Sequence, residues 1–180
     1  VKNMCDKLDV DLYTYFIDAQ EFDDISRSFL YASVPDADIP SDIAIASLYY
    51  KVMEEHDIPC SLCGHSFRTE GTVPLGWTYM DSKYIESVQK QFGTMPIDTL
   101  LTLDMDYWLK NINKKRVRLL YYLEYQKEEV KDFLNKNFGW QWYGGHHHEN
   151  EYTKFVKTYL LPKKFNIDKL HLRLFEEYAS

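Results

Sequence analysis

Ile58-Pro59-Cys60-Ser61-Leu62-Cys63 runs directly into Gly64-His65-Ser66-Phe67-Arg68-Thr69-Glu70-Gly71. The first six residues form a short apolar run of strand length, and the next eight form a polar loop bounded by glycines. Just upstream, Ile43, Ile45, Ala46, Leu48, Tyr49 and Val52 recur as in a helix that ends near His56. Helix, apolar strand and polar glycine-bounded loop in that order make an α/β arrangement. In open α/β sheets ligands sit beyond the carboxyl ends of the strands. Gly64, His65, Arg68, Thr69 and Glu70 are therefore candidate substrate or nucleotide contacts, with Arg68 as a phosphate clamp. The plainer reading is a surface loop carrying an Arg–Glu pair.

Upstream of that helix, Pro35 and Pro40 mark the stretch from Val34 to Pro40 as loop. Ser41 or Asp42 then caps the helix. Asp42 also stands beside the expected site, so capping and substrate contact are both open to it. Phe22, Ile25, Phe29 and Leu30 predict a helix after Asp18, and Met4, Cys5 and Leu8 share one face of a helix ending at Leu8. Between them Val10, Leu12, Tyr13, Tyr15, Phe16 and Ile17 read as a short strand. Downstream of residue 75 the pattern turns mainly helical, through Tyr84, Ile85 and Val88, then Leu100 to Leu109, then Val130 to Phe138. Asp81 and Asp98 stand where N-caps belong. Val117 to Leu123 is β-rich or an extended connector. The expected division is a partial α/β domain over 1–75 and a helical subdomain over 76–180.

The second candidate site is Gly139-Trp140-Gln141-Trp142-Tyr143-Gly144-Gly145-His146-His147-His148-Glu149-Asn150-Glu151-Tyr152-Thr153-Lys154-Phe155. Gly144 and Gly145 permit a tight turn and close backbone approach. Tyr152, Phe155, Val156, Tyr159 and Leu160 follow at helical spacing. A polar turn opening onto an amphipathic helix suits a polar, anionic substrate. Thr153 and Lys154 are candidate substrate contacts, and His147 and Glu149 are candidate proton-handling groups. A solvated polar turn is the alternative. Metal is the weaker reading at both places. Cys60 and Cys63 project to opposite faces of a strand, and adjacent histidines on one turn rarely converge on one ion.

The composition narrows the class. The formal charge is −7, with 45% apolar residues, fifteen tyrosines, ten phenylalanines and three cysteines. The apolar fraction suffices for a core, and the tyrosines suit cleft edges. The acidic balance argues against general nucleic-acid binding, although Lys110, Lys114, Lys115, Arg116 and Arg118 form one basic run, read as a solvated face. Three cysteines do not make a disulfide framework. With no signal peptide and no long apolar run, the expected location is cytoplasmic, without membrane insertion.

Taken together, these residues resemble the N-acetyl sugar amidotransferases of bacterial lipopolysaccharide and O-antigen biosynthesis, in the PP-loop ATP pyrophosphatase group. The likeness runs through Ile39-Pro40-Ser41-Asp42, Gly64 to Gly71 and Pro74-Leu75-Gly76-Trp77. It is strongest in Gly139-Trp140, Tyr143-Gly144-Gly145, His147, Glu149, Thr153-Lys154-Phe155, Leu161-Pro162, Lys164-Phe165 and Ile167-Asp168-Lys169. It departs at two points. The Ser-Gly-Gly-x-Asp-Ser phosphate loop is absent from these 180 residues, and Lys169 runs straight into Leu170-His171-Leu172.

The fold implied is an incomplete PP-loop (HUP-like) parallel sheet with a mainly helical C-terminal subdomain. In it Val10–Ile17 and Ile58–Cys63 would be strands whose usual neighbours are missing. Such open edges favour rearrangement or pairing with another chain. The activity implied is ATP-dependent transfer of ammonia to an acetamido group of a nucleotide-linked sugar, giving an acetamidino group, with AMP and pyrophosphate released. ATP and Mg²⁺ are the implied cofactors. A separate glutamine-hydrolysing subunit is the implied ammonia source, and a homo-oligomer is compatible. Two alternatives stand beside this one: a tRNA-modifying PP-loop enzyme, and a non-catalytic domain that binds a sugar nucleotide or a protein. The expectation common to the candidate residues is that His147, Glu149 and Lys154 gather with Arg68 about one hollow.

Overall fold

Asp18 begins the best-built helix. Its carboxylate accepts from the N–H groups of Gln20 and Glu21 at 3.0 Å, capping α2 (Ala19–Ala32). The helix stops where Ser33 turns left-handed and its N–H returns to Leu30 O. Along α2, Ile25 and Phe29 are fully buried. They pack against Ile39, Ile43 and Ala44 of α3 (Ile39–Glu55), Ile85 and Val88 of α4 (Ser82–Phe92), and Leu100 beyond it. The computed structural model describes residues 1–35, 37–66, 81–111, 114–145 and 147–168.

α3 starts earlier than its prolines suggest. Ile39 and Pro40 are its first two residues and Asp38 is the N-cap position. A proline in the first turn costs nothing, because that N–H has no intrahelical partner. Asp81 caps α4 through Lys83 N–H as expected. Asp98 caps nothing regular: it lies in the loop after α4, and Asp104 caps the next helix, α5 (Met105–Lys110), through Tyr107 N–H. A short α1 (Lys2–Leu8) reaches the far end of α6 (Lys127–Phe138), where Asn3 and Lys7 donate to the terminal carbonyls of Phe138 and Asn137, both at 2.8 Å.

Val10 to Ile17 forms no regular element and pairs with no strand among the described residues. Side-chain bonds hold it instead: Tyr15 donates to Thr99 O at 2.9 Å, and Tyr13 meets His56. Ile17 at its end packs against the main core, but Phe16 is 84% exposed. The strand expected there is therefore not formed.

The sheet is a parallel pair, β1 (Cys60–Cys63) and β2 (Lys115–Arg118), in the register Cys60↔Lys115 to Cys63↔Arg118. The Val117–Leu123 stretch divides accordingly, its start ending β2 and Leu119–Tyr121 forming a 3₁₀ turn. Both the sheet and the main core join residues from the two sides of position 75. The class is α/β, with a small parallel sheet among helices.

The last described element is α7 (Glu151–Phe155), capped by Asn150, which accepts from Tyr152 and Thr153 N–H. It continues as a π-helical stretch, Val156–Phe165, that contains Pro162. Proline has no N–H to close the ordinary α-bond, and the wider turn accommodates it. Val156 and Leu161 from this stretch bury against Ala37, making a second small core. Among the described residues no helix is long and apolar enough to cross a membrane.

Candidate functional site

The parallel register brings the carboxyl ends of β1 and β2 side by side, with Cys63 opposite Arg118. Gly64, His65 and Ser66 leave β1 there. The 3₁₀ turn after β2 folds Tyr121 back over the same end. The Arg118 guanidinium donates to the Tyr121 hydroxyl at 3.2 Å and lies 5.5 Å from its ring centre. That hydroxyl is 3.4 Å from His65 Nδ1. Arg118 is exposed, His65 and Tyr121 are half-buried, and Gly64 is open. The group offers one permanent cation, one imidazole and one phenol to a ligand at the sheet's carboxyl end. Behind it, Arg116 donates to Cys63 Sγ at 3.2 Å and lies over the Tyr49 ring. Cys63 thus has an arginine for company, and among the described residues no three His, Cys, Asp or Glu side chains gather around a possible ion. Arg68, Thr69 and Glu70 lie outside the described residues.

The second candidate is the loop between α6 and α7. Gly139 takes φ +67° and closes α6, its N–H bonding Asn135 O at 2.9 Å. Trp140, Trp142 and Tyr143 then pack on one another, with Trp142 and Tyr143 stacked at 5.2 Å. Gly144 takes φ +89° and His147 φ +60°. The first is a conformation a side chain would strain, and the second is uncommon for a residue with one. The turn they produce points His147 back at its neighbour, so that Nδ1 lies 3.6 Å from Glu149 Oε1 with both side chains about half exposed (46% and 50%). Burial first, then the negative charge of Glu149, push the Tyr143 phenol above its ordinary range. Close approach at Gly145 is used internally: a Cβ there would overlap the His148 ring.

Beyond the loop the remaining residues part company. Thr153 is buried and turned inward, its hydroxyl 3.3 Å from Asp38 Oδ1. Tyr152 beside it reaches Ser26 O at 3.4 Å, and burial followed by the Asp38 charge raises its phenol. Thr153 thus ties α7 to the start of α3, and Tyr152 ties it to α2. Lys154 faces out and lines a hollow of about 350 Å³ with Glu151, Phe155, Thr158 and Tyr159. His147 and Glu149 do not line that hollow. Asp42 sits exposed in the first turn of α3, where its charge suits the helix dipole.

The structure therefore joins His147 to Glu149 and gathers His65 with two residues that the sequence did not single out, Arg118 and Tyr121. It separates Lys154 from the His147–Glu149 pair. Arg118 had been read within a solvated basic face; reading Val117 onward as the end of a strand would have put it at a sheet's carboxyl end. Asp38 carried no signal of its own. Comparison with models of known families, with characterised proteins and with solved structures finds no match in any of the three.

Proposed function

We propose that this chain is the sugar-nucleotide-handling part of an ATP-dependent amidotransferase, of the incomplete PP-loop kind, that converts an acetamido group of a nucleotide-linked sugar to an acetamidino group. The observation that carries the reading is the cluster of His65, Arg118 and Tyr121 where two parallel strands end together. That is the place where α/β sheets take phosphate-bearing ligands. In this reading Arg118 meets phosphate oxygens, and His65 and Tyr121 fix their orientation. ATP, when bound, supplies the adenylyl group that makes the amide oxygen a leaving group. The residues that would grip its phosphates are not among these 180, which contain no Ser-Gly-Gly-x-Asp-Ser. No described cluster offers Mg²⁺ a set of protein ligands.

The His147–Glu149 pair supplies the proton chemistry. As ammonia's nitrogen bonds to the amide carbon it must lose a proton. A neutral imidazole takes that proton at a ring nitrogen, and the carboxylate at 3.6 Å stabilises the imidazolium that results. Ammonia itself comes from a separate glutamine-hydrolysing subunit.

Calorimetric titration of the chain with a uridine-diphosphate N-acetyl sugar tests the reading. Binding is expected for the sugar nucleotide and not for the free N-acetyl sugar, and Arg118→Ala should weaken it about tenfold or more, the loss of a charge-assisted bond. No heat up to millimolar ligand, or salt-sensitive tRNA binding in its place, would reject it. The absence of the phosphate-loop sequence favours a second reading, a non-catalytic sugar-nucleotide-binding domain. Pyrophosphate exchange into ATP, with a phosphate-loop segment supplied, separates the two.

A further inference from the structure

β1 and β2 form a sheet of two strands, so among the described residues each has one edge without a strand beside it. The two edges differ in charge. β2 reads Lys115-Arg116-Val117-Arg118, and cations at all but one position repel a second strand of the same kind. β1 reads Cys60-Ser61-Leu62-Cys63 and carries no charge, with Leu62 67% exposed. Lys115 N–H donates to Pro59 O at 3.1 Å, and successive strand residues turn their backbone groups to alternate sides. Ser61 and Cys63 therefore face β2, while Cys60 and Leu62 point their N–H and C=O groups away from it.

A hollow of about 490 Å³ lies along that edge. It is lined by Leu48, Tyr49 and Val52 of α3 and by Cys60, Ser61 and Leu62 in succession, and among the described residues by none of β2. Side chains of consecutive strand residues point to opposite faces. Space that touches all three residues thus runs along the flank of the strand rather than over one face. Its occupant must bring extended backbone to the edge and apolar side chains to α3. A compact ligand or a lipid chain supplies only the second.

We propose that β1 of a second copy of this chain takes this place, running antiparallel about a two-fold axis at Ser61. β1 is itself what the edge requires: an uncharged strand with an open flank. In that register Cys60 lies opposite Leu62 of the partner subunit, the two exchange both backbone hydrogen bonds, and the Ser61 residues face each other. The contact is self-complementary and closes at two copies, so it makes a dimer and not a fibre. The cationic β2 strands stay outermost, where they discourage further growth. The two His65–Arg118–Tyr121 clusters fall at opposite ends of the shared sheet, and both stay open.

Analytical ultracentrifugation of the whole 180-residue chain tests this, with reductant present and about 150 mM salt to screen the repulsion between two acidic copies. A contact this small belongs to the weak class, so a monomer–dimer equilibrium with a Kd on the order of 10–100 μM is expected. Leu62→Lys sets like charges on facing strands at an exposed position and should raise that Kd about tenfold or more. Lys115→Ser, on the other strand, should not weaken association. A second experiment fixes the register. With Cys5, Cys60 and Cys63 replaced by serine, Ser61→Cys should cross-link into a dimer on mild oxidation. Facing residues of that kind stand about 4.5 Å apart between Cα atoms, within disulfide reach. Ser87→Cys in the same background, exposed on α4, should not cross-link. A monomer up to about 1 mM, a dimer indifferent to Leu62→Lys, or equal cross-linking at the two positions would each overturn the proposal.

Discussion

Gly93 shows how much one missing methyl group can matter. It follows α4 with an ordinary backbone, so no conformational demand requires glycine there. The requirement is space: a Cβ would overlap the side-chain amide of Gln89. That amide is buried and committed, donating to Asp24 Oδ2 at 2.6 Å and to Met95 O at 2.8 Å. Gly93→Ala must therefore either displace Gln89 or shift the loop. It should destabilise the chain by about 1–3 kcal/mol, as overpacking does, read by urea denaturation, and Gln89→Ala in the same chain should relieve part of the clash. A glycine one residue past a helix is visible in the sequence, but it suggests a left-handed cap; the actual reason is a contact with a side chain four residues back. The same distinction applies at the site. His147 and Glu149 stand out in the sequence because unusual residues crowd a turn, but only the fold brings the His147 imidazole within 3.6 Å of the Glu149 carboxylate.

At the scale of elements, α2 acts as a clamp. Its two buried carboxylates, Glu21 and Asp24, are one turn apart and grip the loop between α4 and α5. Asp24 accepts from the Thr94 hydroxyl at 2.7 Å, from Thr94 N–H at 2.8 Å, from Met95 N–H at 2.9 Å and from Gln89. These bonds, the Thr94 hydroxyl first, hold its carboxyl far below the usual range. Burial pushes Glu21 the other way, but bonds from Leu100 and Thr99 N–H and from the Thr99 hydroxyl outweigh it and leave the carboxyl lowered. Both groups bind protons more weakly folded than unfolded. Their stabilisation is complete above the unfolded carboxyl range of about 4 and fades as pH falls through the lower folded values. Thermal melts from pH 7 down to pH 2 should show the midpoint falling below about pH 4, with a smaller fall in Asp24→Asn; equal acid sensitivity in that variant would contradict the clamp. The helices themselves were legible, since α2 and α4 carry apolar residues at helical spacing behind Asp18 and Asp81. The strand expected at Val10–Ile17 was not formed, because alternation predicts a strand only where a partner edge exists, and hydrogen bonds donated by the Tyr15 hydroxyl and by Asp18 N–H tie the segment to Thr99 instead.

Across the whole molecule, the α/β reading held at its coarse level and the order of strands could not be read. β2 lies more than fifty residues beyond β1, and a four-residue stretch with three cations does not look like sheet interior. Those cations have a further effect, on how a charged ligand arrives. The chain carries seven excess negative charges, yet Lys115, Arg116 and Arg118 crowd the strand that leads to the candidate site. An incoming dianion is repelled at long range and attracted only near contact. At about 10 mM salt the repulsion extends roughly 30 Å, and at about 100 mM roughly 10 Å. Moderate salt should therefore quicken capture of a sugar nucleotide while also shortening its stay, the reverse of the usual slowing on steered encounter. Stopped-flow traces at the two salt levels would show it, and a capture rate that drops with added salt would mean that the basic strand governs the approach from afar.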